Sequence, residues 1–424
     1  MGWIVIVTAA WMLLLSVLHL VFAGLFRHFL NGAAANLASP HIEQATQKKT
    51  AILLPMRGAD PYLARTLEAL ATQAYPDYRV VVIVDHVSDP AWTACQQFLQ
   101  AHPHADRFIL QELEQKRATC SLKCSSLIQA VEQLDETFDW VVLTDADVVP
   151  HQTWLAELVA PLQDETIGLS TGQQWFVPNR PTFGSLVRSV WNSGAIVPTV
   201  LLGHPWAGST AMRRADMMRS GLLEDWSQSI VDDGPMAAAL NRIGLKVQFV
   251  PSVIMLNREQ ASVRFCWSYI RRMLTWSRLF ETTYPLTVAH ATLLQGSVAW
   301  TIGLGGVLLL QGLWSSALCT LMSVAVFWLA NGVAYHEIRR AVQQHSHDCR
   351  QPWPRLKLIT WLLTCAAVPV THLIYAISAY RALSVREIKW REITYQIDRS
   401  GQVRMLEYRP FATQHAPQEA EMSL

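Results

Sequence analysis

The sequence predicts an α/β catalytic domain with membrane-spanning helices at both ends, and three observations predict it. From Thr50 to Val148, short apolar runs alternate with helical patterns, the rhythm of a parallel sheet covered by helices. One long apolar run opens the chain and three more follow residue 285, each long enough as a helix to cross about 30 Å of hydrocarbon. The 424 residues are 51% hydrophobic and carry a formal charge of +1, which leaves room for one domain beside the spans and gives no strong field to recruit nucleic acid. The seven cysteines make no zinc pattern, and an odd, scattered count fits free thiols in a reducing compartment.

Trp3 to Phe26 is apolar and ends in Arg27 and His28. It is too long, and too lacking in a basic start, for a cleaved signal peptide, so residues 1–28 read as a retained transmembrane helix. The positive-inside rule then places Arg27, Lys48 and Lys49 in the cytoplasm. Residues 29–49, rich in Ala, Asn and Gln, read as a linker. The domain follows at 50–261: strand TAILLPM, a helix from Pro61, strand RVVVIVD, a helix from Pro90, strand RFILQ, a helix near Cys124, and the strand at Val141. IGLSTGQQWF, WAGSTAMRR and LKVQFVPSVIM add strands, and DDGPMAAALNRIG a helix that begins with acids. No G-x-G-x-x-G follows the first strand and no Walker sequence occurs, which argues against a dinucleotide or P-loop site. GLGG at 303–306 lies inside an apolar span and reads as helix packing.

Residues 262–284 mix Trp267, Ile270, Leu274 and Trp276 with Arg264, Arg271, Arg272 and Arg278, the pattern of an amphipathic helix at a membrane surface. A basic packing helix of the domain would look much the same. Apolar spans fill 285–383, and the Arg- and His-rich loop from Arg339 to Lys357 belongs in the cytoplasm. Its HSHDC reads as a polar loop with incidental histidines. Pro369 interrupts the hydrogen-bond ladder of the last span, which predicts a bent or re-entrant segment that returns the basic tail, 384–424, to the cytoplasmic face.

Chemistry is carried at strand ends. VVLTDADVVP is an apolar strand stopping at Asp145 and Asp147, and ligands of open α/β sheets bind at such carboxyl ends. Alternation points both carboxylates the same way, toward one hard cation that can hold a diphosphate. Taken alone, an Asp-x-Asp is a solvated corner. Asp85 ends its strand where a carboxylate can accept from a base or ribose, and equally where one caps a helix. Lys123, at a helix start, suits a diphosphate or plain solvent. Asp232 and Asp233 either cap a helix or, facing the cation site, supply a general base.

Together these motifs resemble glycosyltransferase family 2 and, more closely, the ceramide glucosyltransferase family. Its three aspartates followed by (Q/R)xxRW can be traced through Asp85 in VIVDHVSDPA, Asp145 in LTDADVV, Asp233 in VDDGPMAAAL, and RMLTW from Arg272 to Trp276. LLPMRGADPYLARTLEAL, LKCSSL around Lys123 and KWREITY in the tail are similar to the family's segments as well. Two positions depart: Asp232 stands where the family often has Glu, and Thr275 where it has Arg. The resemblance implies a GT-A (Rossmann-like) domain facing the cytoplasm of a multi-pass protein, in a bacterial inner membrane. It implies an inverting transfer of a hexose, glucose being the expected one, from a UDP-sugar to a lipid such as ceramide or diacylglycerol. In that reading Arg57, Gly58 and Asp85 hold uridine, Lys123 the diphosphate, and Asp145 and Asp147 a Mg²⁺ or Mn²⁺. Asp233 is the base, and Arg272 and Trp276 line the acceptor side. The competing readings are a polysaccharide synthase of the same superfamily and a non-catalytic membrane scaffold that keeps the fold.

Overall fold

The computed structural model describes residues 2–35, 39–346, 353–354, 357–398 and 401–411. In chain order the elements are α1 (Gly2–Ala35), α2 (Ser39–Ala45), β1 (Thr50–Met56), α3 (Leu63–Ala71), β2 (Tyr78–Val84), α4 (Pro90–Ala101), β3 (Phe108–Glu112), α5 (Leu122–Gln133) and β4 (Trp140–Thr144). There follow α6 (Trp154–Val159), β5 (Ile167–Thr171), β6 (Gln174–Phe176), α7 (Phe183–Leu201), β7 (Ser209–Arg213), α8 (Arg214–Arg219), α9 (Leu222–Trp226), α10 (Met236–Arg242), β8 (Lys246–Phe249) and β9 (Met255–Asn257). The chain ends with α11 (Val263–Phe280), α12 (Tyr284–Leu310), α13 (Trp314–His345), α14 (Leu358–Ala382), β10 (Glu387–Trp390), β11 (Ile393–Ile397) and β12 (Val403–Glu407).

The central strands are buried on both faces, as a covered parallel sheet requires. Leu53, Ile83, Val141 and Leu143 enter a core shared with α5 and the C-terminal sheet, while Ile52, Val82 and Val142 enter one shared with α3, α4 and α6. Strand order is β3-β2-β1-β4-β7-β5-β8. The first four are parallel, but β7 runs against both of its neighbours, so the sheet is mixed where the sequence suggested a parallel one. The chain leaves β5 and starts β7 at the same edge, where Thr171 pairs with Thr210 and Gly172 N donates to Ser209 O at 2.8 Å, so β7 returns beside β5 like the second arm of a long hairpin.

Helix α7 was not anticipated from the sequence. Thr182 caps it, accepting from Ser185 N at 3.2 Å. Its second residue must be glycine, because a Cβ on Gly184 would stand 2.3 Å from Ala261 O. The first turn of α7 is thereby pressed against the entry to α11, whose own cap, Ser262, accepts from Phe265 N at 3.1 Å.

Four helices, α1, α12, α13 and α14, are long and apolar enough to cross a membrane. α13 runs alongside α1 in the same direction, as Arg27–Glu337 at 3.5 Å and Asn31–His345 at 2.8 Å register. α12 runs against it, with Trp11 donating to Ser297 at 2.8 Å. α14 is placed differently. It lies against α7 and α11 of the α/β domain, where Thr371 donates to Val187 O at 3.2 Å and Ala379 O accepts from Tyr284, at the start of α12, at 2.7 Å. Pro369 sits inside this continuous helix.

Two boundaries move. The linker expected over 29–49 is largely helical: α1 continues to Ala35, and α2 tucks Ala45 into the core, where its carbonyl accepts from Tyr75 at 2.7 Å. The acids Asp232 and Asp233 do not open a helix, since α10 begins at Met236 with Pro235 before it. The ends of the tail beyond Phe411, and most of HSHDC, lie outside the described residues.

Candidate active site

The carboxyl ends of β1, β2 and β4 converge on two corners of different character. At the first, β2 ends in Asp85, and Oδ2 of that carboxylate forms an ion pair with Arg57 in which both side chains are 2% exposed. Every direction of the guanidinium is used: Nε donates to Arg391 O at 2.9 Å and Nη2 to Arg409 O at 2.7 Å. Tyr408 donates to Asp85 Oδ2 at 3.1 Å. Gly58 takes a left-handed φ of +75, and its N–H donates at 2.8 Å to Asp89, which also caps α4. Burial, with Asp85 close by, pushes Asp89 up to about 6.

The tail therefore belongs to this corner. Arg391 reaches Asp60 through Nη2 at 2.7 and 3.0 Å. It does so from a two-residue hairpin turn in which Arg391 and Glu392 have φ of 42 and 69, where Asn-Gly is the usual choice. Such positions cost on the order of 1–3 kcal/mol each and persist where the surroundings fix them.

At the second corner, Ser121 caps α5 by accepting from Cys124 N at 3.1 Å, and Lys123 in the first turn points back to the end of β4. Its ammonium bridges Asp145 at 2.6 Å and Asp232 at 2.9 Å. Burial alone would depress Lys123, but those two carboxylates outweigh it and hold its pKa above the ordinary lysine value. Asp147 is 9% exposed. Its own pKa stands well above the carboxylate range, through desolvation and then the charges of Asp145, Asp60 and Glu259. Desolvation, with Asp232 beside it, pushes Asp233 up to about 7. One ammonium thus serves several carboxylates, and the corner is short of positive charge.

That deficit fits a hard divalent cation on Asp145 and Asp147, with remaining ligands from a diphosphate and water. Among the described residues no three His, Cys, Asp or Glu side chains are grouped to hold a metal by themselves, so any such ion would depend on the substrate for part of its shell.

Arg272 and Trp276, expected on the acceptor side, are partly exposed, one turn apart on α11. Arg272 lies 6.0 Å from the Tyr269 ring. Thr275 is 1% exposed and back-bonds to Arg271 O at 2.8 Å, so the departure from the family motif faces the protein interior. The end of α11 abuts the loop that carries Asp233 closely enough that a Cβ on Gly234 would meet the Phe280 ring at 2.4 Å.

The sequence-predicted residues thus fall into two groups. Lys123, Asp145, Asp147 and Asp233 come together around one cleft. Arg57 and Asp85 also meet: Oδ2 of Asp85 is taken by Arg57 and Tyr408, while its Oδ1 is buried with no hydrogen-bond partner among the described residues. Sequence reasoning missed Asp60, Glu259 and Tyr408. Of these only Asp60, within the family-like segment MRGADP, carried a signal.

The family description "Glycosyl transferase family 21" matches residues 10–403. A ceramide glucosyltransferase of Komagataella phaffii is 29% identical over 72 residues, an alignment covering 17% of this chain and 13% of that relative. Among solved structures, a mannosyltransferase from Pyrobaculum calidifontis in complex with GDP-Man and Mn²⁺ superposes with a TM-score of 0.44 and 18% identity, over 86% of this chain and 99% of that one. Glucosyl-3-phosphoglycerate synthase from Mycobacterium tuberculosis, in complex with Mn²⁺ and UDP-glucose, gives 0.37 and 15%, over 56% and 81%. The match along almost the whole α/β domain and its helices is what the three-aspartate pattern led one to expect, and this chain is a glycosyltransferase that belongs to glycosyl transferase family 21.

Proposed function

We propose that this chain is a membrane-embedded, inverting GT-A-type enzyme that transfers a hexose, glucose first among them, from a UDP-sugar to the hydroxyl of a membrane lipid such as ceramide or diacylglycerol. The observation that supports this reading is the bridge from Asp145 through Lys123 to Asp232, a cation beside which a donor diphosphate would lie with Asp233 next to it. Asp233, whose pKa desolvation pushes up to about 7, is suited to act as base. It takes the proton of the acceptor hydroxyl while that oxygen forms its bond to the anomeric carbon from the face opposite UDP. The bond from that carbon to the diphosphate oxygen breaks, its electron pair leaving with UDP. Lys123 faces the charge that gathers on the departing group. A Mg²⁺ or Mn²⁺ held by Asp145 and Asp147 would add further neutralisation there.

The lipid acceptor follows from where the cleft lies. Its acceptor wall, α11, packs on α14, a helix apolar enough for a bilayer. The start of α14 is tied to α13 by Arg339, which donates to Pro354 O at 2.8 Å, and its end leads into the tail that grips Arg57. We read the return of its end to the α/β domain as keeping the tail on the domain's side, with α1, α12 and α13 crossing the membrane and α14 lying along the α7 and α11 face of the domain. By the positive-inside rule that face is cytoplasmic. Incubating the purified protein in lipid nanodiscs with UDP-sugars and acceptor lipids, and identifying products by mass spectrometry, tests the proposal. A hexosyl-lipid of inverted anomeric configuration supports it, and no hexosyl-lipid from any pairing rejects it.

A further inference from the structure

Tyr408 and Phe411 have no part in the chemistry just described, yet both sit at the carboxyl ends of β1 and β2. We propose that residues 403–411 complete the donor site: the rings of Tyr408 and Phe411 form the wall against which the nucleobase stacks, and Arg57, paired with Asp85, fastens that wall. This rests on the donor being a nucleoside diphosphate sugar, as proposed above.

Five observations lead there. The strap is built in, because Met405 N donates to Ala118 O at 2.7 Å and Ile393, Tyr395 and Ile397 enter the domain core. Arg57 is clamped between two tail carbonyls, and Asp85 beside it keeps its Oδ1 buried without a hydrogen-bond partner among the described residues, an acceptor left open next to the wall. The two rings are only partly buried. Each packs near a cation, with Lys116 5.0 Å from the Tyr408 ring and Arg57 5.6 Å from that of Phe411. Phe411 lies so close to the Gly58 turn that a Cβ there would come within 3.0 Å of the ring. Aromatic faces beside basic side chains, next to a diphosphate corner, are what a planar base requires.

The same contacts explain why the left-handed Arg391 turn is kept. It supplies one of the two carbonyls that hold Arg57 and, through Asp60, ties the strap to the loop after β1. The strap is thus fixed from both of its ends.

Calorimetric titration of the full-length protein in nanodiscs with UDP, and separately with pyrophosphate, both in Mn²⁺, tests the proposal. Tyr408→Ala and Phe411→Ala should each weaken UDP binding by roughly tenfold or more, as loss of a base–aromatic stack does, and leave pyrophosphate binding unchanged. Tyr408→Phe, which keeps the ring and loses the bond to Asp85, should bind UDP nearly as the parent does. If Tyr408→Ala does not fold, Phe411→Ala carries the test at a position nearer the described end of the chain. Unchanged UDP binding, an equal loss for UDP and pyrophosphate, or tighter UDP binding, as expected of rings that occupy the base position, would each overturn it. A parent protein that binds pyrophosphate but not UDP sinks the nucleotide reading itself, whereas a parent that binds UDP beside indifferent variants sinks only the strap.

Discussion

The two corners at the carboxyl edge of the sheet use the same residue types to opposite ends. Arg57 and Asp85 are a closed account of charge: one guanidinium, one carboxylate, both almost wholly buried, with backbone carbonyls taking the remaining donors. Around Lys123 the charges do not balance, and Asp147 and Asp233 are held above the ordinary carboxylate range. A compensated buried pair is scaffolding, while uncompensated carboxylates mark where a cation, a phosphate or a proton is handled. The comparison can be broken by asking which corner governs rate and which governs stability.

The largest effect is expected at the unbalanced corner. Asp233→Asn should lower turnover by roughly 10²- to 10⁴-fold, the usual contribution of a general base, with UDP affinity retained, since the base acts on the acceptor. Steady-state product formation by mass spectrometry beside calorimetric UDP titration separates the two. Near-parental turnover would remove Asp233 from the mechanism.

At the balanced corner the expected loss is of stability. Arg57→Met leaves Asp85 buried without its countercharge, which typically costs about 3–5 kcal/mol and for a domain of this size lowers Tm by on the order of 10 °C. Thermal unfolding in detergent, with limited proteolysis of the freed tail, reads it. An unchanged Tm would mean that the ion pair is not the fastening described.

Removal of divalent cations sharpens the contrast again. Exhaustive chelation should reduce transfer by roughly 10²-fold or more and leave the Tm shift of Arg57→Met untouched, because the two corners draw on separate charges. Asp147→Ala should behave as the chelated parent does. Full activity without divalent ions would overturn the role given to Asp145 and Asp147.

How much of this was legible in the sequence depends on whether polarity reported burial. β1, β2, β4 and α4 were read closely because apolar runs and the Asp89-Pro90 start are local signals. α11 and the apolar helices were read for the same reason. α7 was not, since Ser185, Arg188, Ser189, Asn192 and Ser193 are all buried in it and Pro198 lies within it; a helix whose polar residues face inward has no readable stripe. The antiparallel pairing of β7 with β5 bridges the whole of that unread segment and was lost with it. In the site, Asp145, Lys123 and Asp233 stood at strand or helix ends where chemistry is expected. Tyr408 and Asp85 come within 3.1 Å across 323 residues, and no local pattern announces a contact of that separation. The burial of Asp85 under Tyr408 was illegible for the same reason, since KWREITY marks the tail but not where Tyr408 lands.

The smallest effect concerns pH, and it separates the corners once more. Asp233 must be deprotonated to accept the hydroxyl proton, and its pKa is raised to about 7 by desolvation and the Asp232 charge. Below that value the active fraction falls about tenfold per pH unit, so kcat/KM should rise with pH and level off above about 7. The sign is that of a base with an elevated pKa: activity is lost in acid and retained toward mild alkali. The compensated Arg57–Asp85 pair has no part in this limb, so Arg57→Lys should leave its midpoint where it is. Asp232→Asn removes the second cause of the elevation and should carry the midpoint to lower pH, whatever it does to the plateau rate. A profile flat from pH 5.5 to 8, or an Asp232→Asn midpoint that moves upward, would place the titrating base elsewhere than Asp233.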